Sequence, residues 1–311
     1  MPDMRALPIG VFDSGLGGLT VARELMRALP DESLVYLGDS ARCPYGPRGP
    51  SDVREFVLEI GSWLASRPVK LIVIACNTAT AAGLALAQRV FDVPVIGVVE
   101  PGARAAVQAT VNRQVGVIAT VGTVESGAYS RAVRALDAGV TVFSAAAPRF
   151  VDVVEAGLRM DDSPVEAWMS ATADVFIRPS FYEIARDYLD PLKRAGIDTL
   201  VLGCTHFPLL SPAIQQVVGP QVHLISSAEE TAREAAETLA ARGQLADSTS
   251  APVHEFHTTG DPTEFEMLGS RILGVPTGRV GVVALEELSG RVDDSMRAAA
   301  TAFAAEEEAC D

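Results

Sequence analysis

The sequence predicts an α/β protein made of two doubly wound, mainly parallel-sheet domains related by a pseudo-twofold, with a site in the cleft between them. Three observations carry that prediction. Short runs rich in Val, Ile and Leu recur along the chain, each followed by a Gly-rich or polar turn and then a helical pattern, which is how parallel strands covered on both faces read. A chain of 311 residues divides into about two domains at roughly 100–200 residues each. Two pairs of segments also echo one another: Gly10-Val11-Phe12-Asp13-Ser14 with Gly116-Val117-Ile118-Ala119-Thr120, and Leu71 through Thr78 with Thr199 through His206.

The first strand, Ile9 to Phe12, ends in Asp13-Ser14-Gly15-Leu16-Gly17-Gly18, where glycines open a helix. Thr20 stands where a dinucleotide fingerprint needs its third glycine, and no phosphate-binding Gly-Lys-Ser/Thr occurs, so this segment alone reads as a tight turn with Asp13 as N-cap. The second strand is Leu34 to Leu37. It is followed by Pro44-Tyr45-Gly46-Pro47, which is either a rigid surface turn or a wall that closes on a substrate. The third, Leu71 to Ala75, runs into Cys76-Asn77-Thr78 and changes period there, so this most apolar stretch reads as a buried strand entering a helix and not as a membrane span. Val95 to Val98, Val115 to Ile118, Val140 to Phe143, Leu200 to Leu202 and Val222 to Ile225 complete the set.

The interval from Thr120 to Cys204 is longer than that from Asp13 to Cys76, and the surplus is assigned to an insertion near residues 160–180. The expected division is residues 1–100 with 212–285 as one α/β domain, 101–211 as the second, and 286–311 as a helical acidic tail. That tail is Ala-rich and ends in Glu306-Glu307-Glu308, which reads as a solvated helix face with no assigned function.

Composition narrows the function. Forty acidic against 25 basic residues give a net charge of -15, which disfavours nucleic acid and membrane surfaces as partners. The stretch Met1 to Gly15 has no apolar core of a secretory signal, so a cytoplasmic protein is expected. Cys43, Cys76, Cys204 and Cys310 lie far apart with no Cys-x-x-Cys and no histidine at zinc-ligand spacing, which argues for thiol chemistry over disulfides or a metal site.

In open parallel sheets ligands bind beyond the carboxyl ends of the strands, so the polar residues that follow apolar runs are the candidates. A lone cysteine is usually a small buried hydrophobe, but Cys76 and Cys204 occupy equivalent positions in the two halves. Each follows a strand and precedes a helix, whose N-terminus is expected to lower its pKa, and His206 is a proton partner for Cys204. Two such thiols facing across a pseudo-twofold cleft suit racemisation or epimerisation, one removing the α-proton and the other supplying a proton to the opposite face. A pyridoxal enzyme needs a Schiff-base lysine in the cleft, and the only lysines, Lys70 and Lys193, do not follow a strand at its ligand-binding end.

At these residues the sequence resembles the glutamate racemases of the cofactor-independent aspartate/glutamate racemase superfamily. The likeness runs through Phe12 to Thr20, Pro44-Tyr45-Gly46, Ala75 to Ala79, Glu100-Pro101-Gly102, Leu202 to His206, Glu229 to Ala232 and Thr258 to Pro262, roughly residues 8–275. The resemblance implies that Cys76 and Cys204 are the acid/base thiols, with Asp13 assisting Cys76, and Glu155 and His206 assisting Cys204. It implies a substrate held by Asp13, Ser14, Pro44, Tyr45, Gly46, Asn77, Thr78, Thr120, Thr123, Thr205 and His206. It also implies interconversion of L- and D-glutamate for peptidoglycan, without pyridoxal phosphate or metal, by a homodimer. Phe207 and Ser226 stand where many members carry Tyr and Asp, and neither belongs to the acid/base set. Competing readings are a relative acting on aspartate, a binding or regulatory module on the same fold, and, on the Gly15 to Gly18 loop alone, a dehydrogenase.

Overall fold

The computed structural model describes residues 3–160, 179–247 and 251–308. Its strands are β1 (Ile9–Asp13), β2 (Leu34–Gly38), β3 (Leu71–Ile74), β4 (Val95–Gly97), β5 (Gln114–Ala119), β6 (Thr141–Ala146), β7 (Thr199–Gly203), β8 (His223–Ser226), β9 (His254–Thr258) and β10 (Gly281–Val282). They form one sheet of order β10-β9-β2-β1-β3-β4 and a second of order β6-β5-β7-β8. Every pairing among them is parallel. The order β2-β1-β3-β4 is repeated as β6-β5-β7-β8, so the paired echoes in the sequence fall on equivalent central strands, β1 with β5 and β3 with β7.

The central strands are buried along their whole length because helices cover both faces, and that is why they read as unbroken apolar runs. The helices that matter for the site are α1 (Leu19–Ala28), α2 (Pro50–Ala65), α3 (Asn77–Val90), α4 (Val99–Ala109), α5 (Val121–Glu125), α6 (Ala128–Leu136) and α7 (Pro148–Met160). Further helices span Pro179–Arg194, Ser227–Ala241 and Pro262–Leu273. Among the described residues no helix is long and apolar enough to cross a membrane.

Three expectations are revised. The segment assigned to the first domain from residue 212 contains β8, which pairs with β7 in register Leu200↔Leu224 and Val201↔Ile225, so it completes the second sheet. Strands β9 and β10 extend the first sheet beyond β2; their pattern is not an apolar run, since in His254–Thr258 only Phe256 and Thr258 are buried. The C-terminal segment is not a free tail, because the helices Leu285–Ser289 and Asp294–Glu308 and the link between them bury Leu288, Phe303 and Val292 in the same cluster as Val57 and Leu86 of α2 and α3. Trp63 Nε1 donates to Glu287 Oε1 at 3.0 Å, and the exposed Glu306 pairs with Arg89 at 2.7 Å. The insertion expected near 160–180 lies outside the described residues, apart from its flanks.

Candidate active site

The carboxyl ends of β1, β3, β5 and β7 converge on one inner cavity of about 360 Å³. Its wall holds Ser14, Pro44, Tyr45, Gly46, Cys76, Asn77, Thr78, Thr120, Cys204, Thr205 and His206, and both candidate thiols therefore face the same space. Asp13, Thr123 and Glu155 are not on this wall but touch residues that are. Cys43 and Val151, which the sequence did not single out, complete it. Cys43 immediately precedes the Pro44 turn, while Val151 lies one helical turn before Glu155 on α7 and so shares its face.

Each feature follows from local structure. Cys76 is the N-cap of α3, where its sulfur accepts from the Ala79 N–H at 3.5 Å and lies 3.8 Å from Ser14 Oγ. Asp13, the last residue of β1, is fully buried, and its Oδ2 accepts from the N–H groups of Gly18 at 2.9 Å and Gly15 at 3.2 Å. The glycines there are required by close approach: a Cβ on Gly18 would lie 2.4 Å from Asp13 Cβ, and one on Gly17 2.3 Å from Thr205 Oγ1. The first half's glycine turn thus presses directly on the second half's Cys204-Thr205-His206 edge. Thr20 Oγ1 ties the two by donating to the Thr205 carbonyl at 2.9 Å.

The Pro44 loop is a wall and not a free surface turn. The Tyr45 ring is buried against Phe56, its hydroxyl donates to Asp39, and the Gly46 carbonyl accepts from Gly122 N at 3.0 Å. Asp39 is fully engaged, because it also accepts from Arg42 Nε at 2.6 Å and Thr259 Oγ1 at 2.7 Å. Thr78, Thr120 and Thr123 form a triangle of hydroxyls with separations of 2.9, 2.9 and 3.3 Å, joining α3 to the start of α5. Asn77 Oδ1 accepts from Tyr129 of α6 at 2.8 Å, and its buried Nδ2 has no hydrogen-bond partner among the described residues.

The two thiols sit in different fields. Burial, with the nearby charge of Asp13, pushes the Cys76 thiol well above its ordinary value, outweighing the Ala79 N–H and Ser14. The lowering expected from the helix N-terminus is thereby overturned at Cys76, since desolvation of the buried sulfur exceeds what one helix end supplies. Burial likewise raises Asp13, against the opposing influence of His206 and the turn N–H groups. On the other wall Cys204 Sγ lies 3.8 Å from His206 Nδ1, and His206 Nε2 lies 3.4 Å from Glu155 Oε1. Burial opposes charge on this ring, but its contacts with Cys204 and Glu155 prevail and push it up to about 10. Glu155 is lowered in turn, chiefly by His206.

The two lysines are both used elsewhere. Lys70 precedes β3 at the end opposite the cavity, where its buried Nζ pairs with Glu32 and donates to the carbonyls of Arg5 and Gln244. Lys193 Nζ donates to the Val217 carbonyl.

Comparison with known proteins agrees with this architecture. Residues 9–235 match the family described as Asp/Glu/Hydantoin racemase. The chain is 47% identical over 271 residues to a glutamate racemase of Corynebacterium diphtheriae, covering 87% of this chain and 96% of that one. A crystal structure of a glutamate racemase from Bacillus anthracis superposes with a TM-score of 0.80 at 44% identity, covering 90% and 98% of the two chains. That of a glutamate racemase from Francisella tularensis in complex with D-glutamate gives 0.79 at 30% identity, covering 91% and 99%. The chain belongs to the Asp/Glu/hydantoin racemase family, on its glutamate racemase branch.

Proposed function

We propose that this racemase interconverts L- and D-glutamate by a two-base mechanism in which Cys76 and Cys204 work on opposite faces of the α-carbon. The observation that carries the proposal is that both sulfurs, brought by equivalent strand ends of the two sheets, line one small cavity. Their unequal fields give each a role. Cys76, raised by burial and flanked by Asp13, starts as the acid. Cys204, with His206 Nδ1 at 3.8 Å and Glu155 behind the ring, takes the complementary role. One sulfur takes the α-proton as the other returns a proton to the far face, and the opposite enantiomer is turned over from the opposite protonation state. The unpartnered Asn77 Nδ2, the Ser14 hydroxyl and the Thr78–Thr120–Thr123 hydroxyls offer donors for the carboxylates of an anionic amino acid in a protein that is itself strongly acidic.

In this reading protein thiols do the proton transfer, and no pyridoxal phosphate or metal takes part. The D-glutamate serves peptidoglycan synthesis, and the enzyme works as a cytoplasmic homodimer, as its resemblance to the family implies. The test is incubation with each enantiomer in heavy water. Wild-type protein is expected to place deuterium at the α-carbon as optical rotation decays. Cys76→Ser and Cys204→Ser should each lose activity by about 10³-fold or more. Full activity in either variant, or faster turnover of aspartate than of glutamate, would overturn the assignment.

A further inference from the structure

The inner cavity adjoins a larger outer one of about 790 Å³, and the two share Cys43, Pro44 and Val151 as a neck. The outer chamber is electrostatically odd for a route taken by a dicarboxylate. Asp152, Glu155, Asp261 and Glu264 line it, and among its described lining residues Arg159 is the single cation. Arg159 is not idle: its Nε lies 2.9 Å from Glu264 Oε1 and its Nη1 3.5 Å from Glu155 Oε2. Glu155 and Arg159 stand one turn apart on α7, whereas Glu264 belongs to the helix Pro262–Leu273, which packs on the first sheet, so the Arg159–Glu264 pair spans the mouth of the cleft.

Both partners are about half exposed, at 49% and 45%, and an ion pair in that setting is weak and exchangeable. A guanidinium accepts one carboxylate in place of another with no change in charge or geometry. From this placement we infer that Arg159 is the landing point for a carboxylate of the incoming dicarboxylic amino acid, which displaces Glu264 on its way to the inner cavity. Glu264 is then a built-in competitor: it keeps the guanidinium turned to the mouth and yields it to substrate. The position suits the task, because Arg159 lies one helical turn from the carboxylate that contacts His206, and beyond the neck stand the two thiols. The inference rests on the glutamate reading for the nature of the substrate, but not on which groups move the proton.

Steady-state kinetics with both enantiomers test it, using Arg159→Gln, Arg159→Lys and Glu264→Gln. Arg159→Gln is expected to raise KM about tenfold, with Arg159→Lys recovering part of the loss. Glu264→Gln is expected to lower KM about threefold, the size of one exposed ion pair, because it removes both a competitor and a negative charge. In Arg159→Gln added salt should raise kcat/KM, since only carboxylates then remain at the mouth. A mere structural tie predicts that both partners' removal shifts KM the same way. The inference is overturned if Glu264→Gln raises KM or leaves it unchanged, or if Arg159→Gln leaves KM unaltered. Opposite KM shifts would stand even if the cysteine variants above proved active, so the two readings fail separately.

Discussion

His206 is buried, yet it is flanked by a sulfur on one ring nitrogen and a carboxylate beyond the other, and these neighbours push its pKa up to about 10 from an ordinary value near 6.5. A folded-state pKa above the unfolded one means that the protonated ring stabilises the fold. That contribution is full below about pH 6.5 and is lost as pH rises through about 10. Wild-type stability should therefore fall between these limits more steeply than that of His206→Gln, as read from urea midpoints across the range; parallel pH profiles would show that the ring is not held charged. Residue-level chemistry of this kind was partly legible beforehand. Cys76, Cys204 and His206 could be found because strand ends of a repeated unit carry them. Cys43, Val151 and Arg159 could not, because their importance arises only when α7 folds across the neck and meets the helix Pro262–Leu273. Gly17 belongs to the same class: its lack of a side chain reads locally as a turn, whereas a Cβ there would meet Thr205, just past the end of β7 in the other half.

The buried strands β1, β3, β5 and β7 were legible because a strand covered on both faces must be apolar throughout. Strand β9 was not, because its two histidines and a glutamate lie in a segment only part of which is buried. The C-terminal helix was misread for the opposite reason. Its many alanines and terminal glutamates suit a solvated helix, but Phe303 is 7% exposed, with the guanidinium carbons of Arg89 and Arg54 at 4.9 and 5.6 Å from its ring centroid. The helix is also held by Arg297 to Glu55 at 2.8 Å and by a Ser62 hydroxyl 3.3 Å from Met296 Sδ. Phe303→Ala is expected to cost about 3–5 kcal/mol, as for a buried aromatic side chain, and can be measured by denaturant unfolding. Since these contacts reach the far end of α3 from Cys76, kcat should be unchanged. A cost within experimental error would mean that the helix merely rests on the surface.

Across the whole molecule the duplication is plain in sequence, but the way the halves join is not. One hydrophobic cluster runs through both sheets, taking in Ile9 and Val11 of β1, Ile118 of β5, Leu200 and Leu202 of β7, and Ala228, Ala232 and Ala235 of the helix Ser227–Ala241. That helix follows β8 of the second sheet yet shares this cluster with Leu25 of α1, which is why a cut at residue 212 drawn from local pattern fails. Polar ties cross the cleft as well, among them Thr20 to the Thr205 carbonyl, Gly122 to the Gly46 carbonyl, Thr78 to Thr120 and Tyr129 to Asn77. Halves that share core side chains cannot lose one sheet without exposing the other's apolar face, so their unfolding is coupled. Scanning calorimetry should therefore give a single transition with calorimetric and van't Hoff enthalpies in agreement. Two resolved transitions, or a calorimetric enthalpy near twice the van't Hoff value, would show that each sheet melts alone. The cleft would then be a hinge between independent domains instead of a site whose opposing thiols are fixed by one continuous core.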